Sequence, residues 1–319
     1  MDPLSEFLSL LKPTSTISSG FEATGDWSIQ FGDQQRQIKC YVILSGGCWL
    51  AVDGIGEVAR LEEGDCFVLP RGLPFRLASD LDLPSVMAST IFPPARAGGM
   101  VTVNGGGSFS LVGARFAVGG NHADMLLEML PPIVHLHQQA ERESLRWSIE
   151  RMMQEVRSHQ PGGYLMAQYL AHMMLLQALR IHLAKEHQGT GWFYALADKH
   201  LSSAIRAIHS EPAKNWTLAE LGETAGMSRS VFAERFKAAV GETPIEYLSR
   251  WRMLLACDRL EKGDDPISVV APALGYRSES AFSKAFKRVV GCSPRQYRGQ
   301  GDFSSEARPR AMSASWPIM

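Results

Sequence analysis

The sequence predicts an α+β protein, with a small antiparallel β-barrel or sandwich first and an all-α domain last. Three observations carry this. Up to about residue 112 the apolar runs are short and broken by turn signals, the pattern of a closed antiparallel sheet. From about residue 122 the apolar spacing changes to the helical period. Finally, residues 216–250 and 265–300 repeat one another at a separation of about fifty residues.

In chain order, Leu4, Phe7, Leu8 and Leu11 share one helical face, which Pro13 ends. The segment 40–54 holds two short strands broken by Ser45-Gly46-Gly47, with Asp53-Gly54 as a hairpin signal. Glu63-Gly64-Asp65 turns the chain into a strand at Cys66–Leu69, and Pro70-Arg71-Gly72 turns it out again. The Gly- and Pro-rich segment 93–108 reads as a loop. Helices follow: Asp124–Met129, stopped by Pro131-Pro132, then Glu141–His159, then Tyr164–His187. The last is apolar over more than one stripe, so it packs on several sides, either covering the barrel or pairing with a second chain. Asp198 caps a helix running to about His209.

The repeat has a geometric meaning. Leu218, Leu221 and Gly226 match Ile267, Val270 and Gly275. After a one-residue insertion, Phe232, Phe236 and Lys237 match Phe282, Phe286 and Lys287, and Gly241, Pro244 and Tyr247 match Gly291, Pro294 and Tyr297. Each half reads as a capped helix, a Gly-containing turn and a second helix, a helix-turn-helix unit. Thr217–Glu220, Thr243–Glu246 and Ser293–Gln296 have the capping-box form, and Ser228 and Ser278 stand at N-cap positions. Pro272 lies inside the first helix of the second unit, where it removes a backbone donor. Between the units, residues 244–262 form one helix, roughly 28 Å long at 1.5 Å per residue, close to the ~34 Å between successive major grooves on one face of DNA. The alternative, a plain bundle with two similar hairpins, leaves the polar and basic face opposite each Phe pair without a purpose.

Composition agrees with two domains. The chain has 319 residues, 45% hydrophobic and 20% charged, and its formal net charge of -1 hides an asymmetry. Residues 200–300 carry 15 Lys and Arg against 11 Asp and Glu, and the remainder 17 against 22. A basic C-terminal third suits nucleic-acid binding. No apolar run is long enough for a membrane span and no signal-peptide pattern opens the chain, so a cytoplasmic location without membrane contact is expected. The five cysteines have no zinc-site spacing and are expected as reduced thiols.

The tandem units, GMSRSVFAERFKAAVGETPIEYLSRWRM and GYRSESAFSKAFKRVVGCSPRQYR, resemble the AraC/XylS family of transcription regulators over about 198–298. The N-terminal part is similar to the cupin-like sensor domains of one branch of that family. Gly46-x-Cys48-Trp49-Leu50, Gly64-Asp65, Leu69-Pro70-Arg71-Gly72 and the segment 113–136 carry that likeness. The resemblance implies a cupin-like β-barrel with trailing helices over 1–190, for effector sensing or dimerisation. It implies an AraC-type DNA-binding domain over 195–300, with units at about 216–241 and 266–291. The tail 301–319 is Ser-, Ala- and Pro-rich and reads as disordered.

The resemblance places Ser230, Ala233 and Glu234 of the first unit at base-facing positions, with Glu279, Ser280, Ser283 and Lys284 as their equivalents in the second. A glutamate accepts from a cytosine amino group and an alanine touches a thymine methyl. Arg229, Lys237, Arg277, Lys287 and Arg298 read as phosphate contacts, and the helix N-termini at Thr217 and Ser278 offer amides to phosphate. Trp49, Phe67, Phe75 and Phe92 are candidates to line an apolar effector pocket. Tyr41 and Phe75 stand where related sensor domains often carry His, and His135-Leu136-His137 falls after the expected barrel, so neither a metal nor another cofactor is expected. The function expected is a sequence-specific DNA-binding regulator, not an enzyme, controlled by a small molecule or other signal. Double-stranded promoter DNA, a second copy of the chain, a small-molecule effector and, for an activator, RNA polymerase are the expected partners. The alternatives are redox sensing through Cys40, Cys48 and Cys66, a barrel that serves only to dimerise, and an enzyme fused to the DNA-binding module, either an alkyl acceptor or a cupin oxygenase.

Overall fold

The computed structural model describes residues 2–17, 20–34, 36–56, 58–92, 100–120, 122–158, 160–185, 189–263 and 265–299; of residues 16, 17, 156 and 157 only the backbone is described. The expected tail 301–319 and the first part of the expected loop, 93–99, lie outside these residues.

The N-terminal half runs α1 (Pro3–Leu11), β1 (Thr14–Ile17), β2 (Gly20–Ala23), β3 (Ser28–Phe31), β4 (Gln37–Ser45), β5 (Gly47–Val52), β6 (Val58–Glu62), β7 (Cys66–Leu69), β8 (Phe75–Ala78), β9 (Val86–Met87), the one-turn α2 (Ala88–Ile91), β10 (Met100–Val103), β11 (Phe109–Ala117), α3 (Ala123–Leu127) and β12 (Val134–Leu136). The strands form two sheets. One is ordered β10-β2-β11-β4-β7-β12, with β1 also paired to β11; the other is ordered β6-β5-β8-β3-β9. The expected hairpin at Asp53-Gly54 joins β5 to β6, with Gly54 at φ 77.

Strand periodicity sorts the side chains of the larger sheet onto two cores. Tyr41 and Ile43 face inward with Phe21, Phe67, Phe75, Phe109 and Trp27, forming the barrel interior. Cys40, Val42, Cys66, Val68, Val112, Ala114 and Phe116 face outward into a second cluster shared with the helices. At the crossing of β4 and β11, a Cβ on Gly113 would stand 2.3 Å from the Tyr41 ring and 2.4 Å from the Cys40 carbonyl oxygen, so only glycine fits there.

Two strands depart from expectation. The segment read as a loop contains β10, whose Val101, Thr102 and Val103 pair in parallel with Phe21, Glu22 and Ala23. β-branched residues in a row outweighed the flanking glycines. The His135-Leu136-His137 motif does not lie beyond the barrel: β12 joins the larger sheet beside β7, with His135 opposite Phe67.

Then come α4 (Gln139–Ser158), α5 (Gly163–Lys185), α6 (Trp192–Ala197), α7 (Lys199–Ser210), α8 (Leu218–Thr224), α9 (Arg229–Val240), α10 (Pro244–Lys262), α11 (Ile267–Ala273), α12 (Glu279–Val290) and α13 (Pro294–Gly299). Helix α5 buries Ala167, Leu170, Ala171, Met174, Leu175, Ala178 and Leu179. Its Leu165, Tyr169 and Leu176 fall on the opposite side and are exposed, Tyr169 by 64%, and Trp147 of the neighbouring α4 is 63% exposed. Both roles expected of this helix therefore have a face of their own, one covering the barrel and one open. The covering core does not stop at the N-terminal half. It continues through Phe7, Trp192, Leu201, Ile205, Phe232, Phe236, Tyr247 and Trp251 as one cluster, whereas Phe282, Phe286, Leu260, Val270 and Tyr297 form a separate one.

Candidate nucleic-acid interface

The second helices of the two units, α9 and α12, are each 12 residues long and are built by the same local rules. Ser228 and Ser278 cap them, accepting from the backbone N–H of Val231 and Ala281. Gly241 at φ 89 and Gly291 at φ 88 end them in the left-handed conformation. Phe232 and Phe236, and likewise Phe282 and Phe286, are fully buried one turn apart, with ring centroids 5.5 and 5.7 Å apart. Burying this stripe turns the opposite side of each helix outward.

The outward sides hold most of the expected contact residues. Ser230, Glu234, Glu279, Ser280 and Lys284 are exposed, and Ala233 and Ser283 are half-buried on the flank of each helix. Arg229, Lys237, Arg277 and Lys287 are exposed as well. Corresponding positions differ in charge: Glu234 stands where the second unit has Lys284. Helix α10 spans Pro244–Lys262 as expected, closed at its start by a capping box in which Thr243 and Glu246 each bond the other's backbone N–H.

Two expected phosphate positions take a different role. Arg298 is half-buried, its Nη2 donates to the Asp265 carbonyl oxygen, and its Nε is buried without a partner. It ties α13 to the start of the second unit. The N-terminus of α8 is already occupied: the Glu220 carboxylate accepts from the Thr217 N–H at 2.8 Å, and its pKa is lowered by the bonds to the Thr217 backbone and hydroxyl. An anion held there by the chain itself disfavours a phosphate.

The expected effector pocket also changes. Phe67 and Phe75 are fully buried in the barrel interior, and Phe92 packs against the same aromatic cluster. Phe31 stacks on Phe75 at 4.5 Å, Tyr41 lies 5.2 Å from Phe67, and Phe92 lies 6.0 Å from Phe21. Trp49 is not among them. Cys48, Leu50 and Val52 take the inward positions of β5, so Trp49 points out of the barrel, under the Arg60 guanidinium at 5.2 Å.

The three strand cysteines are likewise divided. Cys40 and Cys66 lie on the outward face with sulfurs 4.0 Å apart, and Cys48 lies on the inward face. The hydrogen bond with Cys40 and burial push the Cys66 thiol well up, and burial pushes the Cys48 thiol up to about 12. Neither carries the thiolate that redox sensing needs at neutral pH.

Sequence reasoning missed the polar seam between the halves. Trp192 Nε1 donates to the Tyr247 hydroxyl at 2.8 Å, the hydroxyl bonds His209 Nε2 at 2.7 Å, and His209 Nδ1 bonds the Glu6 carboxylate at 3.0 Å. A carboxylate only accepts, so Nδ1 carries the proton and Nε2 accepts from the tyrosine. The His209 ring also stacks on Trp251 at 3.6 Å. Burial pushes its pKa down, against the pull of Glu6. A second contact brings His122 within 3.1 Å of the Tyr297 hydroxyl, which donates to Glu261 at 2.6 Å, and Lys12 pairs with Asp258 at 2.6 Å. The available signal was a histidine on the apolar face of α7.

Near the barrel, the buried Asp65 accepts from His135 at 2.9 Å and from Arg142 Nη2 at 2.6 Å. Burial pushes its carboxyl up, but these bonds and the Glu62 N–H hold it below the usual range. Among the described residues, no group of three or more His, Cys, Asp or Glu is placed to hold a metal ion, and no helix is long and apolar enough to cross a membrane.

Comparison with known proteins bears on both halves. The cupin family model matches residues 2–184, and a helix-turn-helix domain model matches residues 221–300. A Streptomyces lividans protein named as an AraC-like transcription regulator is 40% identical over 300 residues, covering 93% of this chain and 98% of its own. The HTH-type transcriptional regulator AlkR of Acinetobacter baylyi is 30% identical over 308 residues, covering 94% and 100%. Among solved structures, the DNA-binding domain of AdpA in complex with a target DNA is 31% identical, covering 32% of this chain and 91% of that one, with a TM-score of 0.30.

Proposed function

This chain belongs to the AraC-like DNA-binding transcription regulators with a cupin N-terminal domain, and we propose that it reads promoter DNA by setting α9 and α12 into successive turns of one major groove. The observation that carries this is the pair of identically capped 12-residue helices on either side of a continuous 19-residue spacer. Ser230, Ala233 and Glu234 face bases in the first half-site; Glu279, Ser280, Ser283 and Lys284 do so in the second. Arg229, Lys237, Arg277 and Lys287 position the chain on phosphates and carry no sequence information themselves. Residues 1–190 act as a signal-receiving and pairing domain, with a regulatory rather than catalytic role, and 195–300 as the DNA reader. Two chains pair through the exposed stripe Leu165, Tyr169 and Leu176, extended by Trp147 of α4. A regulator that acts on promoter DNA works in the cytoplasm, and an activator of this kind would also contact RNA polymerase.

Selection of bound sequences from a random DNA pool tests the reading. Each chain should select two blocks centred about 10–10.5 base pairs apart. Inserting half a helical turn between the blocks should abolish the gain from having both. A single block, or indifference to the insertion, would mean that only one helix reads DNA.

A further inference from the structure

Helix α10 serves both units at once. Tyr247, Leu248, Trp251 and Leu254 pack into the main core, which holds the first reading helix. Met253, Cys257 and Leu260 pack into the separate core of the second. Among the described apolar side chains only the half-buried Leu255 packs against both. Apolar packing therefore does little to fix the twist of one reader relative to the other about this helix.

Arg252 lies where the two faces of α10 meet, and only 8% of it is exposed. A guanidinium so far from water needs partners for its donors. Nε donates to the Pro212 carbonyl oxygen at 2.6 Å, and Nη2 to the Lys214 carbonyl oxygen at 2.8 Å. Its carbon Cζ also lies 5.5 Å from the centroid of the Tyr276 ring. Burial pushes the Arg252 pKa down, against the pull of Tyr276.

These partners belong to different units. Residues 211–216 lead into α8 and are fastened to the first unit: the Trp216 N–H donates to the Lys214 carbonyl oxygen, and Lys214 Nζ lies 3.7 Å from the Glu220 carboxylate. Tyr276 stands in the turn between α11 and α12, its ring edge-on to the buried Phe282 at 5.5 Å. Beside it, a Cβ on Gly275 would stand 2.3 Å from the Ala213 carbonyl oxygen and 2.8 Å from Arg252 Nη2. The lead-in of one unit and the turn of the other thus close on the same guanidinium.

We propose that Arg252 is a positioning residue for DNA reading: it clamps the turn of the second unit to the lead-in loop of the first, and so fixes the twist of α12 relative to α9 without touching DNA. The clamp deepens the proposed two-helix reading and rests on it. Successive base pairs are rotated by about 34–36°, so a reader that twists freely tolerates a shifted block and gains less from the correct one.

The test uses full-length protein and anisotropy on duplexes carrying both selected blocks, or either block with the other scrambled, with the spacing varied by one and two base pairs. In the parent, the second block should add affinity sharply at one spacing. Arg252→Gln should cut that gain by about tenfold and broaden its dependence on spacing, with the affinity for either block alone and the salt slope unchanged. Arg252→Lys keeps the stem and the charge but not the fork, and should lose about threefold; it decides the matter if Arg252→Gln melts early. A phosphate contact would instead lower the salt slope by about 0.9. A residue needed only for folding would weaken the second block tested by itself. Either result, or a second-block gain kept in full by both variants, would overturn the clamp alone. A parent with no second-block gain would remove the two-helix reading and the clamp together.

Discussion

Lys287→Ala separates positioning from reading. Lys287 lies one turn after Lys284 on the outward side of α12, exposed, and no described acidic side chain pairs with it. The proposed phosphate contacts are four, Arg229, Lys237, Arg277 and Lys287. If all four meet phosphate, the slope of log affinity against log salt is about -3.6 per chain, and removing one brings it to about -2.7. Between about 50 and 200 mM salt the parent should lose ~150-fold in affinity and the variant ~40-fold. The deficit of Lys287→Ala is thus greatest at low salt and shrinks by ~3.5-fold across that range, for every DNA sequence alike. Fluorescence anisotropy on a selected site and a scrambled one measures both slopes. Glu234→Ala is the companion: it should leave the slope nearly unchanged and alter preference at one base pair by about 1–3 kcal/mol. An unchanged slope for Lys287→Ala, together with a uniform loss for Glu234→Ala, would refute the division of contacts.

Gly275→Ala should destabilise the second unit by more than about 2 kcal/mol, since φ is 79 and the new Cβ would stand 2.3 Å from the Ala213 carbonyl oxygen. Gly291→Ala, at φ 88 with nothing within 4 Å, should cost only about 1 kcal/mol, and denaturant melts of the two variants compare them directly. For His209 the folded pKa is depressed, so its contribution to stability is complete above the unfolded value of about 6.5 and is lost as pH falls below it. Melting temperature should therefore drop more steeply on acidification in the parent than in His209→Asn; parallel pH profiles would contradict the buried neutral ring. Tyr169→Glu should convert a dimer to a monomer in sedimentation without lowering the melting temperature, and a monomeric parent would dispose of the proposed pairing face.

The elements that local rules govern were legible in the residues. The Thr217 and Thr243 capping boxes, the serine caps at 228 and 278, and the glycines at 226, 275 and 291 each act within four residues of chain. The Phe pairs were legible because one helix turn brings them together whatever surrounds them. What depends on a third element was not. The strand at Met100–Val103 exists because Phe21–Ala23 offers it an edge. Trp49 points outward because Cys48 and Leu50 took the inward positions, a one-residue phase that composition does not settle. Arg298 turns inward because the Asp265 carbonyl oxygen lies beside it, 33 residues away in sequence. The His209 seam joins four helices, so no single stretch announces it.

The continuity of the main core has a consequence for how the molecule comes apart. Phe7 of α1 packs on Trp192 at 4.9 Å, and the same cluster encloses Phe232, Phe236 and Trp251. A fragment beginning near residue 195 would leave Phe7 and Trp192 behind, stripping apolar cover from the first reading helix while sparing the second, whose core is its own. Unfolding should follow the same hierarchy: amides of α12 and α13 exchange as one unit, and those of α9 exchange only with the sheet's outer layer. The two readers are therefore unequal. One shares its core with the body of the protein, and the other keeps a core of its own and meets the N-terminal half through polar contacts at His122 and Lys12.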